Sequence, residues 1–137
     1  MKALPSPNRV FVYGKPVDMR KSFDGLFELV GRNLEENPLS GDLFIFVNRR
    51  SNYLKGLLWD RTGFLLVAKR LESGQFKLRN KAEKVIIQVE DLRRLLDGLP
   101  VGGVQISGSK SLNSGPLSPS QSNDPRGSSN FAAGASG

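Results

Sequence analysis

The chain of 137 residues contains neither cysteine nor histidine. This absence removes disulfides, thiolate nucleophiles, imidazole bases and the usual ligand sets of zinc. No apolar run approaches the roughly 20 residues of a membrane-spanning helix. The stretch from Met1 to Val10 also lacks the apolar segment of a signal peptide. We therefore predict a cytoplasmic protein with no membrane contact, no metal and no other cofactor.

Carboxylates that could serve catalysis are scarce. A two-metal nuclease or transposase needs several clustered carboxylates, and the candidates here are Asp18, Asp24, Asp42 and Asp60. Three of them have simpler local roles, since Asp18 fits a helix N-cap, Asp24 the polar side of that helix and Asp60 a turn. The sequence has no glycine-rich phosphate loop of the Walker type either. We predict no enzymatic activity and no catalytic residue.

Apolar residues are also few after Leu99. From Pro100 to Gly137, Ser, Gly and Pro make up 21 of 38 residues, and Phe131 is the only aromatic residue. Such a segment cannot bury enough apolar surface to offset the entropy lost on ordering. We predict a single domain over residues 8–99 and a disordered Ser/Gly/Pro-rich tail over residues 100–137. A tail that is foreign to the natural protein is the other interpretation.

Positive charge, in contrast, is abundant. The net charge is +7 and the isoelectric point is about 10.1, which favours anionic partners such as nucleic acid. From Leu43 to Lys84 the chain has ten Lys and Arg residues against three acidic residues. This surplus of seven equals the net charge of the whole chain, so the rest of the sequence balances to zero.

The same stretch carries the strongest fold signal. Apolar runs alternate with clusters of Asn, Asp, Ser and Gly, which is typical of strands joined by tight turns. The runs are Leu43–Val47, Tyr53–Trp59, Phe64–Ala68 and the short pair Phe76 and Leu78. We predict an antiparallel β-meander in which the basic residues occupy the turns and the strand ends.

The flanking segments add helices and outer strands. Arg9–Tyr13 reads as a first strand, and Asp18 precedes an amphipathic helix with apolar residues at helical spacing from Met19 to Leu34. Lys84–Val89 reads as another strand and Glu90–Leu96 as a short helix. The predicted fold class is α+β, with the meander packed against one amphipathic helix near the N-terminus and a short C-terminal helix.

Two cations stand at the predicted start of the first helix. Arg20 and Lys21 have the sign that the helix dipole disfavours at an N-terminus. Their position is explained if a phosphate binds there. Alternatively, both side chains point to solvent or pair with Asp18 and Asp24.

Several strings in the sequence resemble a known family. They are DMRKSFDGL from Asp18 to Leu26, and LFIFVNRR, LKGLLWDRTGF and KRLESGQF between Leu43 and Phe76. In this order and with these gaps they are similar to the TnpB accessory protein of the IS66 family of bacterial insertion sequences. The resemblance covers roughly residues 9–99. Gly56 departs from it, since the family usually places a bulky aliphatic residue there, and we expect a bulge or a weakened strand at this position.

The resemblance implies a role in DNA transposition without catalysis, since a separate, larger transposase carries the acidic catalytic residues. The partners it implies are the DNA of the element ends and the transposase of the same element. We predict DNA binding through a basic meander surface that assists the transposase, and a protein interaction module that contacts the transposase without binding DNA is the alternative. The candidate DNA-binding residues are Arg20, Lys21, Arg49, Arg50, Lys55, Arg61, Lys69, Arg70 and Lys77.

Two aromatic residues of the meander allow two readings. Tyr53 or Trp59 could stack on an exposed base, as aromatic residues do in proteins that bind single strands. Trp59 also lies in a nearly continuous apolar run, which favours a position in the core.

Overall fold

The computed structural model describes residues 5–106. Its strands and helices, in chain order, are β1 (Val10–Tyr13), α1 (Phe23–Arg32), β2 (Leu43–Val47), β3 (Tyr53–Asp60), β4 (Gly63–Arg70), β5 (Lys84–Ile87), α2 (Leu92–Leu96) and β6 (Val104–Gln105). A 3₁₀ turn, Val89–Asp91, leads into α2. The predicted α+β class is confirmed.

The strands form one six-stranded sheet in the order β4-β3-β2-β1-β5-β6. β2, β3 and β4 are neighbours and pair antiparallel, as the predicted meander requires. β1 pairs parallel with β2 and antiparallel with β5. The parallel pair arises because α1 connects β1 to β2, and a strand that returns through a crossover helix pairs in parallel. The Phe76–Leu78 segment forms no strand, and Leu78 makes only an isolated bridge with Val101.

Both faces of the sheet are covered. On one face α1 packs its Leu26 and Val30 against aromatic residues of β1 and β2, among them Phe11, Phe44 and Phe46. On the other face the aliphatic side chains of the same strands pack against α2 and the segment 71–82. We call these the α1 face and the α2 face. Strands buried on both faces explain the nearly continuous apolar runs in the sequence.

The start of α1 corrects one prediction. Asp18 is not the N-cap, because the helix begins at Phe23 and Ser22 occupies the position before it. Asp18 instead accepts hydrogen bonds from the backbone N–H and the guanidinium of Arg20, at 2.9 Å and 2.7 Å. A short acidic side chain that bonds two residues ahead closes a turn, and this turn delays the helix.

The expected bulge at Gly56 is also wrong. Gly56 pairs in register with Ile45 on one side and with Val67 on the other, and β3 runs regularly through this position. A Cβ atom there would lie 3.1 Å from Leu43 Cδ1 and 3.2 Å from Val67 Cγ2. The side chains of Leu43 and Val67 therefore pack closely over Gly56, and the strand is not distorted.

The described structure continues past Leu99. Val101 is buried in the core of the α2 face, and β6 adds a strand of two residues to β5. The domain boundaries stay a prediction, and residues 107–137 of the predicted tail lie outside the described residues. No helix within residues 5–106 has the length and apolar character needed to cross a bilayer.

Candidate nucleic-acid interface

The turn between β2 and β3 presents Arg49 and Arg50 to solvent. Asn48 closes this turn, since its Oδ1 accepts the backbone N–H groups of Asn52 and Tyr53 at 3.0 Å and 3.1 Å. Its Nδ2 also donates to Asn52 Oδ1 at 2.8 Å. Both arginines are exposed, and neither has an ion-pair partner within residues 5–106. The side-chain amide of Asn48 thus holds two unpaired cations on a defined turn.

The loop after β4 donates hydrogen bonds to the backbone of the same turn. Gln75 donates its side-chain N–H to the carbonyl of Arg50 at 2.8 Å, and the backbone N–H of Phe76 donates to Ser51 at 2.7 Å. Phe76 is buried in the core of the α2 face, and this burial holds the loop in place beside the turn. The backbone that carries the two arginines is therefore fixed by bonds to both neighbouring segments.

The loop before α1 lies beside this turn. The backbone N–H of Val17 donates to the carbonyl of Val47 at 2.9 Å, which ties the loop to the end of β2. An open cleft of about 440 Å³ lies between them, lined by residues 16–19 of the loop and 48–50 of the turn. Arg20 and Lys21 come directly after loop residues 16–19, which line the cleft. The structure therefore brings them to the same end of the sheet as Arg49 and Arg50.

Lys55 and Arg70 complete this end of the sheet. Lys55 Nζ donates to the backbone carbonyl of Lys21 at 2.8 Å and so links β3 to the loop before α1. Arg70 ends β4 opposite Tyr53, with its guanidinium carbon 5.7 Å from the centre of the tyrosine ring. Tyr53 is thus engaged by a cation at about the distance of a cation–π contact. We call the six cations the basic edge: Arg20, Lys21, Arg49, Arg50, Lys55 and Arg70.

The remaining three candidates lie elsewhere. Arg61 is in the hairpin between β3 and β4, at the opposite end of β3 from the β2–β3 turn, and its Nε lies 3.5 Å from Asp60. Lys69 and Lys77 reach residues that follow α2: Lys69 pairs with Asp97 at 3.8 Å, and Lys77 donates to the carbonyl of Gly98 at 3.2 Å. The nine candidates therefore do not form one surface.

Within the basic edge, Arg20 is the cation that is bound by an acid. Its guanidinium makes a bidentate contact with Asp18, with Nε 3.1 Å from Oδ1 and Nη2 2.7 Å from Oδ2. These side-chain hydrogen bonds, followed by the bond from the backbone N–H of Arg20, lower the pKa of Asp18 to about 2. Asp18 therefore stays ionised and neutralises Arg20. The other five cations of the basic edge have no carboxylate partner among residues 5–106: Lys21, Arg49, Arg50, Lys55 and Arg70.

The carboxylates of residues 5–106 do not cluster as metal ligands. Asp42 is nearly inaccessible and accepts hydrogen bonds from Arg9 Nη2 and Ser40 Oγ, both at 2.8 Å. In the part of the chain that the structure describes, no three acidic side chains lie close enough to hold a metal ion. Sequence reasoning left Asp42 without a role, and its pairing with Arg9, 33 residues away, has no local signal.

A second charged pair was not predicted. Lys84 is buried beside Phe11, with its Nζ 2.5 Å from Glu36 Oε2 and 5.7 Å from the centre of the ring. The pair is a contact between charges rather than an aligned hydrogen bond. It joins the segment after α1 to β5, so it acts in packing and adds nothing to the basic edge.

An exposed aromatic patch was also missed. Phe23 and Phe27 have the helical spacing of core residues, yet they are 43% and 41% exposed. Phe27 meets the edge of Phe64 at 5.7 Å, and Phe64 meets Trp59 at 5.1 Å. We call these four residues the aromatic patch. Helical spacing could not reveal the aromatic patch, because it does not show that Phe27 packs on Phe64 of β4, the last strand of the sheet.

Comparison with known proteins gives one family match and two uncharacterized relatives. A family model described as "IS66 Orf2 like protein" matches residues 8–105. The uncharacterized protein y4jC of Sinorhizobium fredii is 43% identical over 68 residues, which cover 50% of this chain and 58% of that protein. The uncharacterized protein y4hO of the same organism is 35% identical over 92 residues, which cover 66% of this chain and 80% of that protein. No solved structure matches.

Proposed function

The chain belongs to the IS66 Orf2-like family of transposition-associated accessory proteins, and on this premise we propose that it binds DNA through the basic edge and thereby assists a separate transposase. The observation that carries the proposal is the meeting of the β2–β3 turn with the loop before α1. Arg49 and Arg50 line the cleft at this meeting, and Arg20 and Lys21 directly follow the loop residues that line its other side. We assign the protein no catalytic step.

The geometry suits contacts to phosphate. Arg49 and Arg50 lie next to each other on a turn with a fixed backbone, so only their side chains must be ordered when an anion binds. Arginine binds phosphate in a bidentate manner, and backbone-directed contacts of this kind position a protein on DNA. Lys21, Lys55 and Arg70 extend the positive surface on either side of the cleft. Arg61 belongs to this interface only if the DNA also reaches the far end of β3.

The test is a fluorescence anisotropy titration of the full chain. The labelled ligands are a duplex of the element end and a scrambled duplex, each at two salt concentrations. Binding through phosphates predicts that the logarithm of the affinity falls with the logarithm of the salt concentration by about 0.9 per phosphate neutralised. The ratio between the two duplexes reports specificity.

Charge reversal locates the site. We expect the double variant Arg49→Glu/Arg50→Glu to bind more weakly, with a salt slope that is smaller by about 1.8 if each arginine contacts one phosphate. The matched control is Arg93→Glu/Arg94→Glu, which makes the same charge change at an exposed arginine pair on α2. Equal losses in the two variants would mean that only net charge matters, and wild-type binding by the first variant would exclude the basic edge.

The aromatic patch favours a second candidate function. Aromatic side chains are enriched in protein interfaces, and the rings of Phe23 and Phe27 are exposed. In this alternative the chain contacts the transposase through α1 without binding DNA. Loss of transposase binding in Phe23→Ser/Phe27→Ser, combined with unchanged or absent DNA binding, would favour it.

A further inference from the structure

The two edges of the sheet differ in a way that indicates a partner. β6 forms one edge with two residues, whereas β4 forms the other with eight, Gly63–Arg70. Within residues 5–106 no strand pairs with the outer side of β4. A strand at an edge has backbone N–H and C=O groups that point outward, and alternate residues of β4 offer them.

Only the last two residues of β4, Lys69 and Arg70, have a feature that usually protects an edge. Proteins block exposed edges with short strands, prolines, bulges or charges. The run from Phe64 to Ala68 contains neither charge nor proline, and all eight residues of β4 pair in register with β3 without a bulge. Phe64, Leu65, Leu66 and Val67 are each only half buried. The strand is thus long, regular, apolar and incompletely covered.

The α2 face beside β4 is hollow. A cavity of about 410 Å³ opens there, and its lining is almost entirely apolar. Leu65 and Val67 form its wall on β4, Gly56 its floor on β3, and Leu92 and Leu96 its wall on α2. The cavity reaches the edge strand, so side chains that lie alongside β4 would also cover part of it.

We propose that a second copy of this chain pairs with β4, so that the two sheets join edge to edge around a two-fold axis. In such a dimer the two β4 strands run antiparallel, and paired residues must lie on the same face of the joined sheet. One residue of β4 must therefore lie directly opposite its own copy, with the two-fold axis midway between them. We place it at Leu66, which puts Leu65 opposite Val67, Phe64 opposite Ala68 and Gly63 opposite Lys69.

This register fits both the apolar pattern and the charges. Leu65 and Val67 line the cavity in each copy, so the pair across the joint continues one apolar surface on the α2 face. Lys69 and Arg70 face Gly63 and Thr62 of the partner copy, not their own counterparts. A like-charge pair directly across a ladder destabilises it, and the antiparallel order keeps these cations at opposite ends of the joint. The two copies of the basic edge then lie at opposite ends of the joint, in a sheet of twelve strands that doubles the six described strands of one chain.

The first test is the mass of the full chain by analytical ultracentrifugation over a concentration series. We expect wild type to approach twice 15.0 kDa as concentration rises. Leu66→Lys places two lysines against each other on the axis and should shift the protein to the monomer mass. The matched control is Val104→Lys, at an exposed apolar residue of the other edge, and it should remain a dimer. Circular dichroism checks that each variant is folded.

A cross-link gives a second readout that does not depend on a destabilising change. Because the chain has no cysteine, Leu66→Cys introduces a single thiol that lies opposite itself in the dimer. Opposed residues of antiparallel strands have Cα atoms about 4.5–5.5 Å apart, which a disulfide can span. Mild oxidation should therefore yield a covalent dimer, and Val104→Cys should not.

Three results would overturn the proposal. They are a monomeric wild type at all concentrations, a folded Leu66→Lys variant that still dimerises, and equal cross-linking of the two cysteine variants. The first would mean that β4 is covered within one chain or by a different protein, and the second would place the dimer contact elsewhere.

Discussion

The two faces of the sheet are packed in different ways. On the α1 face a helix of ten residues covers a core of large aromatic side chains, and Phe11 stacks on Phe44 with ring centres 5.4 Å apart. On the α2 face a helix of five residues and an irregular segment cover smaller aliphatic side chains and leave a cavity of about 410 Å³. The difference teaches that the α1 face carries the rigid packing and that the α2 face has room to adapt.

The largest expected effect compares one residue from each face. Phe44 is fully buried on the α1 face, so Phe44→Ala should lower the free energy of unfolding by about 3–5 kcal/mol. Leu92 is only half buried and lines the existing cavity, so Leu92→Ala should cost less than about 2 kcal/mol. Urea denaturation of both variants measures the difference, and equal losses would contradict the comparison.

A smaller effect tests whether the cavity accepts an added methyl group. Gly56→Ala brings a Cβ against Leu43 and Val67, which line the cavity and can move into it. The free energy of unfolding should change by less than about 1 kcal/mol, because alanine also removes the entropic cost of glycine in a strand. The matched control is Gly14→Ala, whose Cβ would strike the backbone carbonyl of Ala82. This backbone cannot yield to a side-chain rotation, so we expect a loss of about 1–3 kcal/mol.

If both glycine variants lost the same stability, the cavity would be closed in solution. The readout is again the midpoint of urea denaturation, with the slope compared to confirm that the compactness of the unfolded state is unchanged.

The smallest effect lies at the rim of the α1 face, in the Asp18–Arg20 pair. The pKa of Asp18 in the folded protein is about 2, below its ordinary value of 3.8. The pair therefore stabilises the fold above pH 3.8, and this contribution is lost as pH falls through 2. The Asp18 side chain is exposed, so solvent screens the effect.

A carbon-detected NMR titration of the Asp18 carboxyl should give a midpoint near 2. In Arg20→Gln the midpoint should move toward 3.8, since the guanidinium is the main cause of the shift. An unchanged midpoint would assign the shift to the backbone N–H instead. Arg32→Gln, at an exposed arginine in the last turn of α1, serves as the control.

Part of this molecule could be read from local patterns. The strands β2, β3 and β4 follow from apolar runs of the right length with turn residues between them. The exposed position of Arg49 and Arg50 follows from the same turn. The predicted short C-terminal helix is also present as α2, and Gly98 follows it with a φ of 78° that suits glycine.

Other features needed distances that no local pattern contains. The apolar residues of α1 predict one buried face, but Phe23 and Phe27 emerge at the end of the sheet because β4 is its last strand. The separation of two candidate residues could have been predicted from the sequence. Lys69 and Arg70 are adjacent in a strand, so their side chains point to opposite faces and cannot serve one surface.

The sequence by itself determined the family, the α+β class and the concentration of positive charge between Leu43 and Lys84. These depend on composition and on periods of a few residues, which the chain carries locally. Only the tertiary structure decided which cations meet, that β1 pairs parallel with β2, and that β4 is left as a long edge beside a cavity. The physical reason is that partners such as Val17 and Val47, or Arg9 and Asp42, are about 30 residues apart in the chain and are brought together by packing alone.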